Sequence, residues 1–211
     1  MAIQLRTYVL GPLQNNTYLV IDKPSGDSII IDPAIGSHVI LEDLKKNKLT
    51  LKQIWITHAH FDHIGGVESL SRAFLNPIPV AMHPTENDLW EGGGGAKELG
   101  FELNLGPLPS HPLMNGQILN FGSSHFEVFL TPGHTPGHVV FYNTNEGLAF
   151  CGDLLFRHAV GRSDFKGGNY EQLIASIKNR IFTLPDETRL LSGHGPDTTV
   201  GEERKENPFL K

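Results

Sequence analysis

An α/β fold built mostly from antiparallel strands is what this sequence predicts, and three observations carry the prediction. Short apolar runs rich in branched residues recur along the chain. Turn-forming residues separate neighbouring runs closely enough for short connections. Stretches with helical periodicity fall between these runs. No internal repeat and no linker divides the chain, so one domain over residues 1–211 is expected.

The opening runs "IQLRTYVL", "NTYLVID" and "SIIIDP" are separated by the breakers "GPLQNN" and "KPSGD", the pattern of strands joined by turns. "SHVILEDLKKNK" then reads as a helix with Val39, Ile40 and Leu44 on one face and charges opposite. "LKQIWITH" alternates Ile54 with Ile56 and predicts a strand ending at His58. After Gly65-Gly66, Val67, Leu70 and Phe74 follow helical spacing, and "IPVAMH" is again strand-like. Over residues 84–116, Thr85-x-x-Asp88 could cap a short helix, but "EGGGG" and "LGPLPSHPL" break regularity. That stretch is expected to be a mobile excursion over the active face. Strands resume with "QILNF", "HFEVFLTP", "HVVFYN" and "GLAFCGD". The amphipathic "YEQLIASIKNRIF" precedes a strand in "TRLLSGHG", and Thr199-x-x-Glu202 would start a last helix.

Composition narrows the function classes. A chain of 211 residues can bury roughly 70% of its unfolded surface, so neither disulfide nor structural metal is needed merely to fold. Hydrophobic residues at 39% and charged residues at 19% exclude a disordered chain. The net charge of -6, with no basic cluster, argues against a nucleic-acid partner. Cys151 is the only cysteine, which rules out an intramolecular disulfide framework and fits a reducing compartment. It reads as a small buried strand residue. No secretory signal and no run near the roughly 18 apolar residues of a membrane span is visible, so the expected location is cytoplasmic, away from membranes.

The chemistry lies in "THAHFDHIGG", residues 57–66, where three histidines and an aspartate occupy six positions. On extended backbone, residues two apart point the same way, so His58 and His60 can bind one ion. Asp62 and His63 follow the turn and can reach a second ion. His134 follows "FLTPG", Asp153 follows "AFCG" and His194 follows "RLLSG", each where an apolar run stops. If those strand ends are neighbours, ligands from four segments converge on one sheet edge. Imidazole and carboxylate suit zinc, iron or manganese, and a nitrogen/oxygen set with room for water suits catalysis rather than a thiolate structural site. His38, His83, His111 and His125 read as ordinary surface or hydrogen-bonded histidines, and His138 as a brace for the "GHTPGH" turn.

"THAHFDH", "TPGHTPGH", "CGDLLF" and "SGHG", in this order, resemble the metallo-β-lactamase superfamily, as do the opening strands and "IIIDP". The resemblance implies an αββα four-layer sandwich with a metal site along one edge of two sheets. It assigns His58, His60 and His134 to a first ion and Asp62, His63 and His194 to a second, with Asp153 bridging. It also places Asp32 behind the ligand turn, steadying it. The plain alternative for Asp32 is a turn-initiating aspartate before Pro33. Zinc leads the expectation for two divalent transition-metal ions, with iron or manganese as alternatives.

Within the superfamily, "TPGHTPGHVVFY", "GDLLF…GRSDF…GG" and "SGHGPDTTVGEERKENPF" look like the short branch of glyoxalase II, the hydroxyacylglutathione hydrolases. That likeness implies hydrolysis of S-lactoylglutathione or a related acyl thioester by metal-bound hydroxide, with Asp62 orienting the nucleophile. Longer members bind glutathione carboxylates through a C-terminal helical segment, whereas only "EERKENPFLK" remains here. Arg157, Arg162 and Lys166 are the substrate-binding candidates; their alternative is solvated loop charge. Where look-alikes often carry proline, Lys166 loosens the expected loop. Other readings are a mononuclear iron persulfide dioxygenase using His58, His134 and Asp153, and a lactonase or phosphodiesterase. A non-catalytic module is disfavoured because all seven candidate ligands are present. The sequence leaves the oligomeric state open.

Overall fold

Three strands open the chain as a meander: β1 (Ile3–Leu10), β2 (Asn15–Asp22) and β3 (Asp27–Ile31), each antiparallel to the next. This computed structural model describes residues 2–106 and 108–211. Met1 of the N-terminal stretch and Pro107 of the predicted excursion lie outside the described residues. Beyond β3 the connections become helical, and the sheet changes character. Helix α1 (Val39–Lys46) returns the chain to β4 (Thr50–Trp55), which lies parallel to β3. Helices α2 (Phe61–Ile64) and α3 (Val67–Ser71) lead to β5 (Val80–Met82), parallel to β4. After α4 (Asn87–Glu91), the edge strand β6 (His111–Pro112) pairs parallel to β5. A hairpin reverses the chain, whereas a crossover helix restores its direction, so connection type accounts for the mixed sheet.

The second sheet also has six strands. Strands β7 (Ile118–Phe121), β8 (Ser124–Leu130), β9 (Val139–Asn143) and β10 (Leu148–Gly152) form an antiparallel meander. A small ribbon, β11 (Leu155–Phe156) with β12 (Ala159–Val160), precedes α5 (Tyr170–Arg180). Strand β13 (Arg189–Ser192) then pairs parallel to β10, and β14 (Thr198–Thr199) leads into α6 (Val200–Glu206). Thr199 Oγ1 accepts from Glu202 N at 3.2 Å, so the expected cap forms.

The two sheets face each other. Tyr18, Val20, Ile29, Ile31 and Trp55 of the first pack with Phe126, Val128, Phe141 and Phe150 of the second in one buried cluster. The outer face of the first sheet is covered by α1 to α4, with Ile40, Leu44, Ile64, Val67, Leu70 and Trp90 against Leu19, Ile30 and Ile54. Leu173, Ile177 and Val200 of α5 and α6 cover the outer face of the second. Each such buried side chain contributes roughly 1.5–3 kcal/mol of transfer free energy. The αββα architecture follows. Cys151 is buried in β10, where burial pushes its thiol up to about 12. Among the described residues no helix is long and apolar enough to cross a membrane.

Four local expectations are corrected. Val39 is 42% exposed and stands off the buried face, which Ile40 and Leu44 form with partly buried Leu41. Strand β4 stops at Trp55 rather than at His58, because the Thr57 amide donates to the Asp32 carboxylate at 2.7 Å instead of to a strand neighbour. Thr85 is not a cap: the His83 imidazole accepts from Thr85 N at 3.3 Å, where Pro84 has no amide hydrogen to offer. The segment 84–116 is no plain excursion, since it holds two 3-10 turns, α4 and an edge strand of the first sheet.

Candidate metal centre

All seven predicted ligand side chains converge at one edge of the sandwich. His58, His60, Asp62 and His63 occupy the turn after β4 and the start of α2. His134 lies between β8 and β9, Asp153 directly after β10, and His194 after β13. Their donor atoms form overlapping groups, each within 4.8 Å: His58, His60 and His134; Asp62, His63 and His194; and His58, His63 and Asp153.

Distances show how tightly the groups interlock. His134 Nε2 is 2.8 Å from His60 Nδ1 and 3.2 Å from His58 Nε2. His194 Nε2 is 3.1 Å from Asp62 Oδ2 and 3.6 Å from Asp153 Oδ2. Asp153 reaches both sides, with Oδ2 3.6 Å from His134 Nε2 and Oδ1 3.3 Å from His63 Nε2. Gly193 permits this approach, because a Cβ there would lie 2.3 Å from Asp153 Oδ1 and 2.6 Å from His63 Cε1.

The surroundings orient these rings. His134 Nδ1 donates to the Arg162 carbonyl at 2.6 Å, leaving Nε2 directed into the cluster. Asp32 Oδ2 stands 2.9 Å from His63 Nδ1 and accepts from Thr57 Oγ1 at 2.6 Å. Asp32 also adopts a left-handed backbone, φ 51°, which aspartate tolerates better than most residues. His138 does more than brace its turn: Nδ1 is 2.9 Å from Thr131 Oγ1, and Nε2 accepts from the Asp153 amide at 3.2 Å.

Electrostatics divide the cluster: burial holds several imidazoles neutral, whereas the surrounding carboxylates hold His63 protonated, so an ion bound there would displace that proton. Burial pushes His58 and His138 well below the usual histidine range and His60 to about 3, with neighbouring imidazoles adding to the effect. Those rings are neutral and keep a lone pair. Burial alone would lower His63, but Asp153, Asp62 and Asp32 hold it well above its ordinary range. Burial opposes ionisation of Asp153, yet His63 and His134 hold its carboxyl far below the carboxylate range.

The donor set fits two divalent ions. His63 Nε2 and Asp153 Oδ1 are buried, have no hydrogen-bond partner among the described residues, and both face the cluster. Orphaned polar atoms in such a place are costly unless a cation satisfies them. By contrast, His158, Glu202 and Glu203 also lie close together, but Glu203 accepts from Thr198 Oγ1, Asn207 Nδ2 and the His158 amide. Arg157 binds Glu202 at 3.0 Å, so both carboxylates of that group already have protein partners.

The basic candidates differ among themselves. Arg157 is held by Glu202, and Arg162 by both oxygens of Asp164 at 2.9 Å, with its guanidinium over the Phe165 ring. Lys166 makes no ion pair among the described residues. The sequence reading missed Phe165, whose ring meets His60 edge-on at 5.2 Å, and Phe156, 6.1 Å from His194. It also missed Asn16, whose Nδ2 donates to the carbonyls of Ser192 and Gly195 on either side of His194. "QNN" reads only as a turn, and nothing in it points to a partner 179 positions away.

Comparison with known proteins agrees with this geometry. Residues 10–194 match the family model described as the metallo-beta-lactamase superfamily. The hydroxyacylglutathione hydrolase GloC of Haemophilus influenzae is 35% identical over 199 residues, covering 93% of this chain and 93% of the relative. The crystal structure of BLEG-1 B3 metallo-beta-lactamase superposes with a TM-score of 0.90 at 37% identity, covering 99% of this chain and 100% of the other. That of TTHA1623 in a di-iron-bound form gives 0.87 at 42% identity, covering 97% and 100%. With its ligand motifs assembled at one sandwich edge and the family match spanning them, this chain belongs to the metallo-β-lactamase superfamily as a metal-dependent hydrolase.

Proposed function

We propose that the protein is a thioesterase of the glyoxalase II type, hydrolysing S-lactoylglutathione or a related acyl thioester. His58, His60 and His134 would hold one divalent ion, Asp62, His63 and His194 the other, and Asp153 would touch both. When bound, such a pair supplies a water acidified towards a pKa of about 7 and positive charge for the carbonyl oxygen and departing thiolate.

The chain's own groups do the rest. Asp62 Oδ2, 3.1 Å from His194 Nε2, would accept a hydrogen bond from the attacking water and fix its direction. His63 and His194 keep the Asp62 carboxyl below its usual range against the opposing effect of burial, so it acts as acceptor and negative charge near neutral pH. Phe165 and Phe156 form apolar walls beside His60 and His194, where they can shelter the acyl and thiol arms from water. Lys166 is the basic group best placed by its lack of an acidic partner to meet a substrate carboxylate, with Arg162 able to leave its exposed bond to Asp164. The likeness to GloC supports the thioester assignment.

The observation that carries this reading is His194 beside Asp62, 3.1 Å apart, which completes a second donor group. One-ion persulfide oxidation would need only His58, His134 and Asp153. The test is free-thiol release from S-lactoylglutathione alongside metal content, with oxygen uptake on glutathione persulfide and opening of a β-lactam run in parallel. Two ions and thiol release are expected; oxygen uptake with one iron, or β-lactam hydrolysis without thioester cleavage, would overturn the assignment.

A further inference from the structure

The loop after β5 places a carboxylate beneath the cluster without joining it. Glu86 ends the 3-10 turn Pro84–Glu86 and is fully buried. Its two oxygens go to different turns. Oε2 accepts from the amide of Ala59, the residue between His58 and His60, at 2.8 Å. Oε1 accepts from the amide of Gly137, in the turn that begins with His134, at 2.7 Å. The fit is close, since a Cβ on Gly137 would lie 2.9 Å from both Glu86 Cγ and Oε1. Elsewhere the two turns are joined through backbone by the Val139 amide donating to the Thr57 carbonyl at 2.9 Å. Neither the His194 loop nor the Asp62–His63 helix touches Glu86 among the hydrogen bonds of the described residues.

We infer that Glu86 is a positioning residue that sets the spacing of the three-histidine group by clamping its two turns together. The inference rests on the assignment of His58, His60 and His134 to one ion. The physical reason is specific to a carboxylate. Both of its oxygens are acceptors, and both partners are backbone donors. A glutamine of the same shape has one acceptor and one donor, so one amide would face an N–H group and that turn would be released. The Asp62, His63 and His194 group takes its bracing from Asp32 and Asn16 instead, so it is insulated from the change. Selectivity between the two ions therefore separates positioning from a general packing role.

The experiment is zinc titration of chelator-stripped wild type and Glu86→Gln, read by competition with a chromophoric chelator, with thermal unfolding of the stripped proteins beside it. Wild type is expected to take up two ions. Glu86→Gln should keep one ion at wild-type affinity and bind the other roughly 10–100-fold more weakly, the range for groups that orient ligands. Gly137→Ala presses on the same contact from the other side and should give the same one-ion loss, which keeps the test available if Glu86→Gln does not fold. Equal weakening of both ions, or no weakening in either folded variant, overturns the clamp. Fewer than two ions on wild type would instead remove the two-ion reading itself, and the clamp with it.

Discussion

Asp32 ties the turn after β3 to the ligand set: its carboxylate lies 2.9 Å from His63 Nδ1 while its own backbone sits at φ 51°. The same carboxylate accepts from the Thr57 amide and hydroxyl. It is at once the residue that begins the turn after β3 and the one that fixes the ring of His63.

Asp32→Asn should therefore bind metal or turn over substrate roughly 10–100-fold less well, as expected when a partner of a ligand imidazole is lost. Asparagine tolerates the left-handed backbone, so the fold is retained. Metal content and activity of the purified variant, with a circular dichroism spectrum as the fold control, check this; unchanged metal affinity would leave Asp32 with only its turn role.

Asp62→Asn separates chemistry from binding. The variant keeps the side chain's shape beside His194 but loses the negative charge, so kcat is expected to fall by two orders of magnitude or more while KM changes little. Steady-state kinetics on a thioester measures both, and an effect confined to KM would contradict the role given to Asp62.

Among the basic residues, Lys166→Ala should raise KM for glutathione thioesters severalfold, Arg162→Ala less, and Arg157→Ala least. The ordering follows from their partners, none for Lys166 among the described residues, Asp164 for Arg162 and Glu202 for Arg157. Unchanged KM in all three would mark the loop charges as solvated and place thiol recognition elsewhere.

Acid stability should depend on Asp43. The Tyr8 hydroxyl, against partial burial, and then the Arg6 guanidinium hold its carboxyl below the usual range. A carboxyl whose folded pKa lies below its unfolded value stabilises the fold above that unfolded value, about 3.9. That stabilisation is lost as pH falls through the folded value. Asp43→Asn should thus lower Tm at pH 7 and converge with wild type towards pH 2; a Tm difference independent of pH would contradict this coupling.

The site was more legible in the sequence than the path of the chain around it. "HAHFDH", His134, Asp153 and His194 each sit where an apolar run ends, and strand ends are what a sheet brings to a common edge. Helix faces are not set by spacing alone, because Val39 and Leu41 differ by two positions and only packing against the first sheet decides which is covered. Glu86 and Asn16 were invisible for a different reason. Each acts by hydrogen bonds to backbone groups of distant turns, a pairing that residue type and spacing do not encode. The mixed direction of the first sheet likewise follows from helical crossovers that local strand patterns do not specify.

Anomalous diffraction from crystals grown with zinc tests the central claim most directly. Two peaks roughly 3.5–4 Å apart are predicted, one against His58, His60 and His134, the other against Asp62, His63 and His194, with Asp153 between them. A single peak, or density centred on His158 and Glu202 instead, would contradict it.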